Sequence, residues 1–324
     1  MKNNALAWFM TALSCNSGFH HLEKYRQGDL PVRGGTQVMP DLACIRLDLE
    51  SDIPMNKPHF VSWQVHNRAE QALEDMPTLP SDHQQIERGD RNMNEVFDKL
   101  SKLQSTLYAA KSKGLLLILQ GMDTSGKDGA IRHVFSHISP LGVHAHAFAA
   151  PTEEELRHDF LWRIHSKVPG RGEMAIFNRS HYEDVLVTRV RGWIDAATVK
   201  RRFQDINHFE NLLHAEGITV LKCYLHISKK EQKKRLQARL DDPSKQWKLQ
   251  ASDFEDRKLW PDFMRAYQDT LVATSTPHAP WHIVPADDKP YRDYFLAELL
   301  VETLEKMNLQ MPKPSFDVSK AKLT

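Results

Sequence analysis

Residues 114–128 read Gly-Leu-Leu-Leu-Ile-Leu-Gln-Gly-Met-Asp-Thr-Ser-Gly-Lys-Asp: an apolar run at Leu115–Leu119, then a turn bounded by Gly121 and Gly126 and closed by Lys127. A strand entering a turn of this spacing, followed by the helix-like Ala130-Ile131-Arg132-His133-Val134-Phe135, is the layout of a phosphate-cradling loop, G-x-x-x-x-G-K. Backbone N–H groups of such a turn point inward and the helix N-terminus behind it adds partial positive charge, so an anionic phosphate fits there. An ordinary turn after a buried strand does not require two glycines and a lysine at fixed offsets. The candidate phosphate contacts are therefore Gly121, Gly126, Lys127, Asp128 and Gly129, with Arg132 on the helix behind. The usual motif continues with Ser or Thr, whose hydroxyl binds the metal; here the position is Asp128, and Asp123 adds a second carboxylate inside the loop. A carboxylate beside bound phosphate is repelled unless a metal lies between them or it carries a proton. Hard carboxylate oxygens suit Mg²⁺, and Asp123 is its candidate ligand.

Outward from the loop, helical and extended patterns alternate. Apolar residues at Val96, Leu100, Leu103, Leu107 and Ala110 predict an amphipathic helix over 92–111 leading into the first strand. Beyond it come a strand at 143–148, a helix at 153–167 opened by a Thr152/Glu155 capping box, and a strand at 174–177. A helix at 195–216, a strand at 218–225, a helix at 253–274, a strand at 281–284 and a helix at 291–307 complete the series. This alternation predicts an α/β chain with a parallel sheet covered by helices on both faces, whose ligands sit at the carboxyl ends of the strands.

The strand at 174–177 ends in Asn178-Arg179-Ser180-His181-Tyr182-Glu183-Asp184, and its tip is expected beside the phosphate loop. A guanidinium can hold phosphate oxygens bidentately, which makes Arg179 the strongest candidate there, with Asn178 and Glu183 beside it. Between Lys222 and Lys248 nine lysines and arginines stand against three acids, and Lys229/Lys233, Lys230/Lys234 and Arg235/Arg239 are spaced to stack in rows on a helix. Such a tract is usually a solvated face. Its place after a strand of a kinase-like pattern, and the helix break at Asp242-Pro243, suit a flap that closes over a polyanion. Trp247, Trp260, Phe263 and Tyr267 could stack on a base, although a stripe at helical spacing is more often packing. His144 and His146 lack a third ligand at sensible spacing and read as ordinary core or surface histidines.

The totals exclude several classes. Across 324 residues, 41% hydrophobic and 26% charged content with a formal net charge of +1 describe a globular chain with no overall basic footprint for nucleic acid. Three scattered cysteines (Cys15, Cys44, Cys223) form no disulfide or metal pattern, which points to a reducing compartment. No stretch of about 18 apolar residues occurs. The start, Ala5–Cys15, has only Lys2 and the α-amine as its basic region, so we expect no secretion signal and a cytoplasmic protein. Residues 1–90 carry prolines at 31, 40, 54, 58, 77 and 80 with no sustained period and read as an irregular arm without an assignable role.

Assembled, these segments resemble the second family of polyphosphate kinases. The matching stretches are Gly121–Gly129, Pro151-Thr152-Glu153-Glu154-Glu155-Leu156, Phe177–Asp184, Asp242-Pro243-Ser244-Lys245-Gln246-Trp247-Lys248 and His278–Asp287, in that order. The resemblance implies a three-layer P-loop kinase-like fold with a helical lid, and phosphoryl exchange between inorganic polyphosphate and adenine or guanine nucleotides. It implies a catalytic domain over 91–312 with a lid near 228–258, a tail at 313–324, and a homodimer or homotetramer. Position by position, it implies that Asp123 and Lys127 serve the metal and the transferred phosphate. Asn178 and Arg179 form the second motif, and Arg239, Lys245, Lys248 and Asp253 belong to the lid. Some members have Asp where this chain has Asn178 and Asn where it has Glu183; the version here is similar to the subgroup that takes both nucleoside mono- and diphosphates. Two other readings are an ATP-dependent nucleoside or nucleotide kinase on the same scaffold and a nucleic-acid-binding module using the basic tract.

Overall fold

A computed structural model describes residues 63–65, 72–80 and 93–321; the N-terminal stretch that bears on secretion lies outside them. Among the described residues six strands form one sheet: β1 (Trp63–Val65), β2 (Gly114–Gln120), β3 (Val143–Ala147), β4 (Met174–Asn178), β5 (Ile218–His226) and β6 (Trp281–Pro285). Their order is β1-β6-β5-β2-β4-β3, with the five strands from β6 to β3 parallel and β1 antiparallel on the β6 edge. β2 is central, and its register against β4 and β5 pairs Leu119 with Asn178 and Gln120 with Tyr224. The chain that leaves β2 therefore emerges between the tips of two neighbours.

The side chains of β2 show why the sheet is sandwiched. All seven of its residues are buried. Leu116 and Ile118 pack into one core with α6 (Ala196–Ala215) and α9 (Trp260–Thr274). Leu115, Leu117 and Leu119 pack into the other with α1 (Met93–Ala110), α2 (Lys127–Phe135) and α10 (Lys289–Lys306). A strand buried on both faces reads as a continuous apolar run, which is the pattern of a parallel sheet between helical layers. The remaining helices are α3 (Glu153–Leu156), α4 (Trp162–His165), α5 (Val187–Val190), α7 (Lys229–Leu240) and α8 (Ala251–Lys258). No helix among the described residues is long and apolar enough to cross a membrane.

Three elements differ from the sequence expectation. The helix expected at 153–167 is two short ones: the Thr152/Glu155 capping box forms and α3 stops at Leu156, after which Asp159 accepts from Leu161 N–H at 3.0 Å, an Asx turn that re-aims the chain into α4. The helix expected at 253–274 breaks at Leu259, because Pro261 has no N–H to donate and fits only the first turn of α9. The region expected to be an irregular arm contributes β1 to the sheet, and its 72–80 segment buries Leu73 and Met76 in the core.

Beneath the turn that follows β4 lies an ionic network. Lys222 of β5, fully buried, donates to Glu210 at 2.6 Å, to Thr274 O at 2.6 Å and to Tyr182 Oη at 3.0 Å, so its three donors are all used. Tyr182 in turn donates to Glu210 at 2.7 Å. Burial works to raise the Glu210 pKa, and the charge and hydrogen bond of Lys222, with His181 close by, pull it below the ordinary value. This pair welds the 181–185 turn to α6 and β5. Lys222→Met is expected to destabilise the fold by about 3–5 kcal/mol, because it leaves Glu210 buried without its counter-charge; the double variant Lys222→Met/Glu210→Gln should recover part of that loss in denaturant unfolding.

Candidate active site

The turn Gly121–Gly126 joins β2 to α2. Gly121 has φ +152°, Thr124 +62° and Gly126 +101°, so the backbone turns through the left-handed region three times within six residues. Gly126 is required twice over: a Cβ there would be strained by φ and would also collide with Arg292 Nη1. Lys127, the first residue of α2, folds back over the loop and donates to Gly121 O at 2.7 Å and to Met122 O at 3.3 Å. Burial and the neighbouring Arg179 lower its pKa to about 8, against the opposing pull of Asp123, Glu183 and Asp128.

The tip of β4 meets this loop. Arg179, a non-glycine residue at φ +64°, donates its main-chain N–H to Leu119 O at 3.0 Å and its guanidinium to Asp123 at 2.8 Å. A left-handed non-glycine residue is costly and persists where the surroundings over-determine it, as at active sites. Asn178 donates to Asp128 at 2.7 Å. Burial raises the pKa of Glu183 against the charges of Arg179 and Lys127, so this carboxyl sits within the same electrostatic cluster.

From the third side comes the chain after β5. Lys248 lies 3.7 Å from Asp128, and Arg239 acts electrostatically on both Asp128 and Asp253. Burial works to raise Asp128, but the Asn178 amide and the cations Lys248, Lys127 and Arg239 hold it below the ordinary carboxylate range. Asp253, buried at the start of α8, is raised by burial and by the charge of Asp123. Thus Asp123, Lys127, Asp128, Gly126, Asn178, Arg179, Glu183, Arg239, Lys248 and Asp253 converge at the carboxyl ends of β2 and β4.

Two candidates do not join them. Arg132 is exposed on α2, and Lys245 is exposed and held by Asp242 at 2.5 Å. Trp260, Phe263 and Tyr267 are core residues, whereas Trp247 is 78% exposed with Lys248 Nζ 5.1 Å from its ring centre. His181 is fully buried 3.6 Å from Glu210 and has no open face for phosphate chemistry. Three residues of the site were not singled out in the sequence: Gln232 and Arg292 had no role, and Arg235 stood only in the cationic rows. Arg235 and Gln232 lie on the buried face of α7 against the loop carbonyls, and Arg292 of α10 is 2% exposed beside Gly126. The spacing Gln232–Arg235–Leu236 is the signal that could have separated this face from the charged rows around it.

Comparison with known proteins places this geometry in a family. Residues 83–312 match the family described as Polyphosphate kinase 2, a match that begins after the 72–80 segment and stops before the tail. The chain belongs to the polyphosphate kinase 2 family. It is 49% identical over 216 residues to the AMP/ADP-polyphosphate phosphotransferase of Meiothermus ruber, covering 67% of this chain and 81% of that protein. It is 42% identical over 228 residues to the ADP-polyphosphate phosphotransferase of Rhodopseudomonas palustris, covering 67% and 79%. The crystal structure of polyphosphate kinase 2 from Arthrobacter aurescens TC1 superposes with a TM-score of 0.73 at 45% identity, covering 77% of this chain and 90% of that one. The parallel sheet, the glycine loop and the flanking helices are thus those of the P-loop kinase-like fold of this polyphosphate kinase family.

Gly126→Ala combines backbone strain of about 1–3 kcal/mol with displacement of Arg292. Its expected outcome is a lowered melting temperature together with loss of tripolyphosphate binding by calorimetry, whereas Gly192→Ala, at φ +69° with nothing within 4 Å of its Cβ, should lower the melting temperature alone.

Proposed function

We propose that this polyphosphate kinase 2 moves the terminal phosphoryl group of inorganic polyphosphate onto AMP or ADP, and runs in reverse when ATP is abundant. The observation that carries the reading is the convergence of the Lys127 loop, Arg179 and the Arg239–Lys248 arm on one stretch of space. Three cationic elements from three parts of the fold suit a string of phosphates better than a single one. Lys127, Arg179 and Arg239 neutralise charge on the transferred group. Asn178 and Lys248 hold Asp128 in place, and Asp253 presents a second acid opposite Asp123. The segment 228–258 acts as the lid, and 91–312 as the catalytic domain.

The residues fit a magnesium ion. Among the described residues no group of three or more potential ligands is arranged to hold a metal, so protein carboxylates alone do not form a cage. Mg²⁺ usually takes one or two carboxylates and completes its octahedron with phosphate oxygens and water, which matches Asp123 beside a phosphate site. When bound, the ion supplies charge neutralisation between that carboxylate and the phosphates. Attacking and leaving groups are both phosphate oxygens already ionised at neutral pH, so no general base is needed. Alignment and charge stabilisation carry the reaction. Cytoplasmic nucleotide pools, a homo-oligomeric state and the absence of a nucleic-acid role belong to the same reading.

Purified protein with Mg²⁺ and polyphosphate should convert AMP and ADP, while ATP in place of polyphosphate should phosphorylate AMP poorly; the opposite preference would return an ordinary nucleotide kinase. Arg179→Ala is expected to lower kcat by about 10³-fold with the fold intact, read by circular dichroism alongside the assay. The pH profile supplies a separate check. Lys127 is charged below about 8 in the free protein. Bound phosphate favours the charged form and raises that value, so kcat/KM should fall as pH rises through about 8 while the alkaline limb of kcat lies higher. Lys127→Arg should remove the limb from this range.

A further inference from the structure

α7 presents two opposite faces. Lys229, Lys230, Lys233 and Lys234 are exposed, whereas Gln232 and Arg235 are buried against the phosphate loop. Arg235 spends every donor it has. Its Nε bonds Glu231 at 3.0 Å, its Nη1 bonds Thr124 O and Ser125 O at 3.0 Å each, and its Nη2 bonds Ala286 O at 2.6 Å and Asp287 O at 2.9 Å. A guanidinium has five N–H groups, so none remains for a substrate phosphate. Gln232 Nε2 adds a bond to Asp123 O at 3.2 Å, while its Oε1 accepts from Arg257 at 2.9 Å. Three successive carbonyls of the loop, at 123, 124 and 125, are therefore held by α7.

This grip has a directional consequence. In a trans peptide the N–H points opposite to the C=O, and no cis peptide occurs among the described residues. With the carbonyls of Asp123 and Ser125 drawn toward α7, the N–H groups of Thr124 and Gly126 point away from it. The root of α7 is itself fastened. Asp287 accepts from Ser228 N–H at 2.8 Å with one carboxylate oxygen and from Thr78 Oγ1 at 2.9 Å with the other. The Asp287 N–H donates to Thr78 O at 3.0 Å, so the 72–80 segment straps the same point from outside.

We propose that Arg235 and Gln232 are positioning residues that orient the peptide planes of the phosphate loop, so that its Thr124 and Gly126 N–H groups face the phosphates while the Ser125 N–H closes the turn onto Met122 O at 3.1 Å. They make α7 as far as Leu236 a fixed part of the catalytic floor. Of the 228–258 segment proposed as the lid, the part left to close then begins beyond the end of α7 at Leu240 and carries Lys248, while Arg239 stays with the helix. The inference rests on the proposed activity only for its kinetic readout.

The test uses the full chain with tripolyphosphate as the binding probe. Arg235→Ala should weaken tripolyphosphate binding about tenfold by calorimetry, lower kcat with AMP and polyphosphate more than about tenfold, and speed hydrogen exchange at the amides of 123–126. Added methylguanidinium should restore part of both losses. Arg235→Lys should not, because an ammonium on a single point cannot span carbonyls on two separate loops. Gln232→Met, close in shape and milder for folding, should show a smaller loss in the same direction. The proposal is overturned if Arg235→Lys binds and turns over like the parent, or if the loop amides keep their parental exchange in both Arg235→Ala and Gln232→Met. A parent chain that binds tripolyphosphate, with the binding and exchange losses and the binding rescue as above, yet transfers nothing from polyphosphate would sink the activity and leave the positioning role standing.

Discussion

Every feature of the site answers one electrostatic constraint: a phosphate chain concentrates negative charge, and the loop that receives it already carries carboxylates at Asp123 and Asp128. Those acids are tolerable only if cations and oriented N–H dipoles outweigh them locally. The fold meets that demand with geometry rather than with net charge, which is only +1 for the whole chain. Arg179 reaches Asp123 from the tip of β4, Arg239 in the last turn of α7 and Lys248 beyond it act on Asp128, and Lys127 closes the loop from within. Parallel strands make this possible because β2 and β4 end on the same side, so residues 56 apart in sequence become hydrogen-bond partners.

Much of this was legible in the sequence because it is local. The apolar run of β2, the glycine spacing after it, the Thr152/Glu155 box and the helical periods each depend on residues within a turn or two of one another. The adjacency of Arg179 to the loop was legible too, since it needs only a parallel sheet. What escaped depends on distant partners. Arg235 looks like one more cation in a basic row; only the carbonyls of Thr124, Ser125, Ala286 and Asp287 show that it belongs to the interior. The 72–80 segment has no period of its own, and its order comes from Asp287 and from Gln268, which accepts the Leu73 N–H at 2.6 Å. Arg132 and Lys245 went the other way: their motif positions suggested contact, while their helix face and turn direct them to solvent or to Asp242.

The break between α8 and α9 carries a related lesson. Periodicity continued through Pro261, so the pattern read as one helix, yet a proline can occupy only the opening turn of the second. The interruption frees α8 to take a direction of its own. Its Asp253 is thereby brought within electrostatic reach of Asp123, and its Arg257 donates to Lys229 O at 2.8 Å at the start of α7. A continuous helix from 251 to 274 would have tied that acid to the core packing of Trp260 and Phe263.

The basic tract after β5 is thus three things at once. Its buried residues, Gln232 and Arg235, are consumed by main-chain carbonyls and cannot greet a ligand. Its exposed lysines at 229, 230, 233 and 234 face solvent, where like charges four apart repel weakly and are screened by salt. Only Arg239 and Lys248, half-buried and aimed at the acids of the loop, stand between these extremes. Counting charge along the tract assigns the whole row to the polyanion. Burial and donor arithmetic divide it instead, and the division falls at Leu236, where α7 stops leaning on the phosphate loop and begins to overhang it.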